Sequence, residues 1–182
     1  MKKRLFCTLS FLILLLTTTS CIFRPYQQVN YYDIASLSPD GNPQAPNVEF
    51  PLVTVQGPFR TKMVFRIAKH KVIFDEFNRW SQAPDSLLRR FLEQCFPKNP
   101  ENSKKPYKVT VDILNIEGDR FNKRTVFTAD YTIKAPDGTV REYSFSKEQK
   151  AENLTPEVFA DNIASAFSEL SESIRKNIEK QK

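Results

Sequence analysis

Residues 59–67 alternate between apolar and mostly basic side chains, which is typical of a β-strand with one buried face. Residues 68–71 would turn the chain, and residues 72–77 are expected to return as the partner strand of a hairpin. The buried face would carry Phe59, Thr61, Met63, Phe65 and Ile67, and the other face Arg60, Lys62, Val64 and Arg66. The same alternation predicts strands at residues 31–34, 53–55, 107–113, 127–135 and 140–145.

Two segments have the apolar spacing of helices. The first starts near Pro84, a residue that suits the first turn of a helix. Its apolar face comprises Leu88, Phe91, Leu92 and Cys95. The second would be capped by Thr155, begin at Pro156 and run for about 24 residues. Its last turns, residues 174–182, could extend past the domain and contact a partner.

Strands, a helix, more strands and a second helix follow one another along the chain. This order predicts an α+β fold, in which a mainly antiparallel or mixed sheet carries two helices packed on one face. Residues 31–182 are long enough to form one domain with a buried core, so we expect a single folded domain there.

The N-terminus has the features of an export signal. Three basic residues precede a short apolar run at residues 5–16, which is too short to span a membrane as a helix. Ser20 then precedes Cys21, and lipoprotein processing requires a small residue at that position. We therefore expect residues 1–20 to be a signal peptide, Cys21 to be acylated, and residues 21–30 to be a tether. Ile22, where an Asp would retain the protein at the inner membrane, favours the outer membrane facing the periplasm. An ordinary signal peptide remains the alternative.

Charge and cysteine content narrow the function further. The whole chain has 27 basic and 21 acidic residues, which gives a formal charge of +6. Removal of the signal would take away three of the basic residues and leave a charge of +3. The composition therefore gives no support for nucleic-acid binding. Acylation of Cys21 and removal of Cys7 with the signal would leave Cys95 alone, which excludes an internal disulfide and a zinc site built of cysteines.

Candidate catalytic residues are sparse. His70, the single histidine, lies between two lysines in the predicted turn, where it has no orienting acceptor or nucleophile. Asp75 and Glu76 would point to opposite faces of a strand, and Asp130 is expected to stand alone. Cys95 lies on an apolar helix face and is interpreted as a core residue. We predict no catalytic, metal or cofactor site, and no enzymatic activity.

Two groups of residues are candidates for an interface. Arg79 and Trp80 lie at a strand-to-helix junction, where a lone tryptophan is either a lid on the core or an anchor for a partner. The basic face of the first hairpin strand, Arg60, Lys62 and Arg66, could contact anionic lipid headgroups or an acidic partner. A plain solvated face is the alternative for this strip.

Three segments together resemble a known family. They are Tyr31-Tyr32-x-Ile34 after Cys21, then Met63-Val64-Phe65-Arg66, then Phe77-Asn78-Arg79-Trp80 with the apolar helix that follows. They are similar to the ABC-type transport auxiliary lipoproteins, the PqiC-like family, across nearly the whole mature chain. The proline-rich stretch at residues 39–58 departs from the family pattern.

The resemblance implies a non-enzymatic role. Such lipoproteins accompany MCE-domain proteins and an inner-membrane ABC permease and ATPase, which together move lipid or other apolar molecules across the envelope. Members of this family are thought to oligomerise at the outer membrane and to receive the end of the MCE conduit. The resemblance carries over only Cys21 as the acylated residue and the Arg79–Trp80 segment as a signature. A structural or assembly lipoprotein without a transport role is the alternative.

Overall fold

The structure is a computed structural model that describes residues 26–34, 46–57, 61–96 and 105–181. The predicted signal peptide, Cys21, Arg60 and residues 39–45 of the proline-rich stretch lie outside these ranges. The described elements are β1 (Asn30–Tyr32), β2 (Val48–Val55), β3 (Lys62–Ala68), β4 (Lys71–Trp80), α1 (Pro84–Cys95), β5 (Tyr107–Asp119), β6 (Arg124–Lys134), β7 (Val140–Lys150) and α2 (Pro156–Glu179).

The strands form one mixed sheet in the order β1-β4-β3-β5-β6-β7, with β2 also paired to β5. The three hairpin pairs are antiparallel, whereas β1 runs parallel to β4, and β2 and β3 both run parallel to β5. β5 holds the sheet together because β2 and β3 lie one after the other along the same edge of it. The α+β prediction is confirmed, and the strand predicted at 53–55 proves to be the end of the longer β2.

The helices cover one face of the sheet and enclose the core. α2 begins as its sequence predicts: the hydroxyl oxygen of Thr155 accepts a 3.3 Å hydrogen bond from the Val158 amide, and Pro156 follows as the first helical residue. The side chains between sheet and helices are almost fully buried, among them Met63, Phe65, Leu88, Leu92, Ile113, Phe127, Phe159, Ile163 and Phe167.

The last turns of α2 lie on the sheet. Ile174 and Ile178 are fully buried, and the Asn177 side-chain amide donates a 2.7 Å hydrogen bond to the Tyr131 hydroxyl. Gln181 donates one of 3.0 Å to the Tyr143 hydroxyl. The prediction that this end of the helix extends past the domain was therefore wrong, because β6 and β7 are long enough to support it.

The β3–β4 turn and the β5–β6 turn lie at one end of the sheet, which we call the turn end. Ile67, predicted to be buried, is 38% exposed there. It comes two residues after Phe65, whose ring lies 5.2 Å from that of Phe159 on α2. The prediction was wrong because the strand continues past its contact with the helix.

Candidate functional site

The sheet face opposite the helices, the open face, carries part of the predicted interface. Trp80 points into the core, so Arg79 beside it points outward, and the register places Lys62 of β3 and Tyr31 of β1 on either side of Arg79. We call these three residues the Arg79 row. It crosses three strands, which explains why residues far apart in the sequence form one surface.

Charge in the Arg79 row is only partly balanced. Arg79 and Lys62 are directly opposed like charges, an arrangement that costs stability unless an acid relieves it. Glu76 does so, since both of its carboxylate oxygens accept 2.7 Å hydrogen bonds from the Lys62 ammonium. Arg79 donates only a long bond, 3.4 Å, to the Glu76 carbonyl, and its buried Nε has no acceptor among the described residues. The row therefore retains an unused hydrogen-bond donor.

The indole of Trp80 is 2% exposed and lies 5.3 Å from the ring of Phe159. Of the two sequence interpretations, this position agrees with a lid on the core. Trp80 supports the Arg79 row from beneath, and an interface at this junction would present Arg79 rather than the indole.

Lys62 and Arg66, the two described residues of the predicted basic strip, each have a carboxylate partner. Lys62 is held by Glu76, and the Arg66 guanidinium forms a fork of 2.7 and 2.8 Å with Glu117, whose side chain is 8% exposed. This hydrogen bond and the charge of Glu117 raise the pKa of Arg66. Neither residue presents a free cation, and Arg60 lies outside the described residues.

A groove of about 400 Å³ lies farther along the open face, where β2, β5, β6 and β7 meet. Asp112 and Asp130 face each other directly across β5 and β6 at its floor. Thr54 donates a 2.8 Å hydrogen bond to one Asp112 oxygen, and Gln56 donates to the other. The remaining lining is mainly polar, with Leu52, Thr110, Thr132, Glu142 and Ser144.

The sequence predicted that Asp130 would stand alone, but in the structure it lies opposite Asp112. The local pattern shows only that it lies on the solvent side of a strand. Its acidic neighbour depends on the register of β5 against β6, which no local signal reveals. The groove is the functional candidate that sequence reasoning missed.

His70 and Cys95, which the sequence analysis considered for catalysis, lie in a turn and in the core. His70 lies exposed in the β3–β4 turn, and Cys95 is buried on α1, where burial raises the pKa of its thiol. Within the described part of the chain, no group of three or more metal-ligating side chains comes together. None of the described helices is both long enough and apolar enough to cross a membrane.

A family model described as the ABC-type transport auxiliary lipoprotein component matches residues 38–175. That match covers most of the chain, including the groove and two members of the Arg79 row, Lys62 and Arg79. The chain belongs to this family. Membership establishes it as an auxiliary lipoprotein component of ABC-type transport in the cell envelope.

Solved structures agree with this auxiliary-lipoprotein fold. A crystal structure titled only as an uncharacterized protein superposes with a TM-score of 0.65 at 15% identity, covering 83% of this chain and 99% of that one. Protein XCC0632 from Xanthomonas campestris, of the family DUF330, superposes with a TM-score of 0.55 at 14% identity, covering 88% of this chain and 99% of that one. At these identities the likeness concerns the fold alone. Comparison with curated proteins finds no match.

Proposed function

We propose that this auxiliary lipoprotein is a non-enzymatic docking subunit, acylated on Cys21 at the periplasmic side of the outer membrane. Its partner would be the MCE-domain protein of a transport system for lipid or another apolar solute, driven by an inner-membrane ABC permease and ATPase. Family membership supports the transport role, and the Ser20-Cys21-Ile22 sequence supports the anchor and its membrane.

The observation that carries the docking role is the contrast between the two faces of the sheet. On the helix side, apolar side chains such as Phe127 and Phe167 are fully buried against the helices. On the open side, the groove offers carboxylates, hydroxyls and one apolar rim residue, Leu52. Such a lining suits a polypeptide segment with basic residues better than an acyl chain, because an acyl chain would leave these polar groups without partners.

The open face would therefore hold the partner protein at two places. The groove would take a basic segment through Asp112 and Asp130, and the guanidinium of Arg79, whose terminal nitrogen makes one long hydrogen bond, would bind a partner acceptor. Tethering through Cys21 would confine this surface to the membrane at which the conduit ends. Two or more acyl chains make such an anchor stable.

Photocrosslinking in cells tests the docking role. A benzophenone amino acid replaces Leu52 at the groove, and in a matched control it replaces Phe121 at the turn end; the two side chains are 53% and 56% exposed. We expect the first to capture an MCE-domain protein and the second not to. Capture of no MCE-domain protein from the groove would argue against docking there. A deletion that weakens the envelope without changing lipid distribution between membranes would support the assembly role instead.

A Cys21→Ala variant tests the anchor separately. It should fold normally, fail to sediment with membranes and fail to complement a deletion. Complementation by a protein without acyl groups would show that the anchor is dispensable.

A further inference from the structure

Four of the ten exposed large apolar side chains among the described residues lie at the turn end of the sheet. Val72 and Phe74 lie on the open face of β4, opposite Arg66 and Val64 of β3, and Ile67 ends the same hairpin. Phe121 in the β5–β6 turn joins them, since its amide donates a 3.2 Å hydrogen bond to the Arg66 carbonyl. An exposed apolar patch of this kind marks an interaction surface.

Cations surround these residues. Lys69 and Lys71 flank His70 at the hairpin turn, and Lys123 follows Phe121 in the neighbouring turn. None of the ion pairs among the described residues involves these three lysines. The tip patch, defined as Ile67, Val72, Phe74 and Phe121 with Lys69, Lys71 and Lys123, is thus apolar with an uncompensated basic rim.

The path of the chain points to what covers this patch. β1 runs parallel to β4, and Asn30 pairs with Asn78, so the chain enters β1 from the side on which β4 begins, the turn end. Asn78 and Lys71 are seven positions apart, which is at most about 23 Å at 3.3 Å per residue, since the bulge in β4 between Phe74 and Arg79 shortens the strand. Nine residues separate Cys21 from Asn30, and an extended chain of that length spans up to ~30 Å. The tether is therefore long enough to bring Cys21 level with the tip patch.

We propose that the tip patch rests on the membrane that holds the lipid anchor, with its apolar side chains in the interface and its lysines among anionic headgroups. This inference rests on the acylation of Cys21 in the proposed function. The chemistry fits, because amphipathic surfaces bind bilayers through buried apolar area together with attraction to anionic lipid. Seated in this way, the domain would stand with the β6–β7 turn farthest from the bilayer.

Depth-dependent fluorescence tests the orientation. The lipidated full-length protein is reconstituted into vesicles of phosphatidylcholine and phosphatidylglycerol, with or without bromine on the acyl chains. A tryptophan is introduced by Phe121→Trp, or in the control by Val140→Trp at the opposite end, where the side chain is 54% exposed. Trp80 is buried in both proteins and provides a constant background. We expect bromine to remove most of the added emission from Phe121→Trp and none from Val140→Trp.

Charge reversal provides the second arm. Lys69→Glu together with Lys71→Glu, in the Phe121→Trp protein, should abolish the quenching in anionic vesicles. Equal quenching at both ends, or none at Phe121→Trp, would overturn the proposal. If a second copy covers the patch instead, the emission from Phe121→Trp will be blue-shifted yet insensitive to bromine, which also overturns it.

Mass spectrometry of the same samples separates this inference from the proposed function. An acylated protein that sediments with vesicles but shows no quenching would refute the orientation and leave the docking role intact. A mature protein without acyl groups on Cys21 would refute the anchor, and the orientation with it.

Discussion

The hydroxyl of Tyr32 donates a 2.7 Å hydrogen bond to Oε1 of Glu157, joining the first strand to the first turn of the last helix. Burial, and then this bond, raise the pKa of Tyr32 to about 12, and the same bond lowers the pKa of Glu157. The contact lies just beyond the predicted tether, and it connects β1 to the helix that covers the core.

Tyr32→Phe should therefore loosen β1. The change removes the hydroxyl, with its 2.7 Å bond to Glu157 and its longer 3.3 Å contact with Asn78, and keeps the ring. We therefore expect a loss of about 1 kcal/mol in the free energy of unfolding. Amide hydrogen exchange in β1 should accelerate more than exchange in β5. Tyr31→Phe is the matched control, because Tyr31 is 64% exposed and its neighbour makes the bond. Equal effects of the two changes would contradict the role of the Tyr32 hydroxyl.

Much of this fold follows from local sequence patterns. Proline and threonine mark the start of α2, and the alternation in β3 and β6 is strong enough to predict both strands. The parallel pairing of β2 with β5 has no such signal, because it joins segments about 60 residues apart in the sequence. The Asp112–Asp130 contact and the Arg79 row were beyond reach for the same reason. They are products of strand order and register.

Acid should destabilise the protein partly through Asp119, a buried carboxylate at the turn end. Burial opposes its ionisation, but hydrogen bonds from Asn122 and Arg124 outweigh that effect and lower its pKa below 3.8. Because the native state holds the proton less tightly than the unfolded state, this stabilisation is present above pH ~4 and is lost as the pH falls through the native pKa.

Asp119→Asn should reduce stability by about 2 kcal/mol at neutral pH, since it weakens charge-assisted bonds in a buried setting. It should also flatten the decline of stability below pH ~4. Urea denaturation at a series of pH values measures both effects. Asp161→Asn, on the exposed side of α2, provides the control. An unchanged acid limb in the Asp119 variant would show that other carboxylates govern acid unfolding.

Substitution of Arg79 and of Trp80 should affect stability differently, because Trp80 is a core residue and Arg79 is a candidate interface residue. Trp80→Ala should cost about 3–5 kcal/mol, as expected for a buried aromatic side chain. Arg79→Ala should change stability by less than about 1 kcal/mol, because the guanidinium makes only one long hydrogen bond. Circular dichroism during urea denaturation measures both.

The same Arg79→Ala protein tests the interface when it carries the crosslinker at Leu52. We expect capture of the proposed MCE-domain partner to fall while the fold remains intact. Undiminished capture would remove Arg79 from the docking surface. A large loss of stability would instead assign the guanidinium a structural role.

Gly118 and Phe65 should be energetically coupled, because a Cβ at Gly118 would lie 2.6 and 2.7 Å from Cδ1 and Cε1 of Phe65. The phenyl ring cannot easily move aside: the Arg120 guanidinium lies 3.7 Å above it, and the Phe159 ring packs 5.2 Å away. Gly118→Ala should consequently cost about 1–3 kcal/mol, as overpacking does in a filled core.

A double-mutant cycle distinguishes this clash from a backbone effect. In a Phe65→Leu protein the smaller side chain leaves room, so Gly118→Ala should cost less there, with a coupling energy of about 0.5–3 kcal/mol. Gly138→Ala is the control. A Cβ at that position meets nothing within 4 Å, and its cost arises from a φ of +95°, so it should be the same in both backgrounds. If Gly118→Ala proved as costly in the Phe65→Leu protein as in the unaltered one, the close approach of β3 to β5 would not be what requires a glycine.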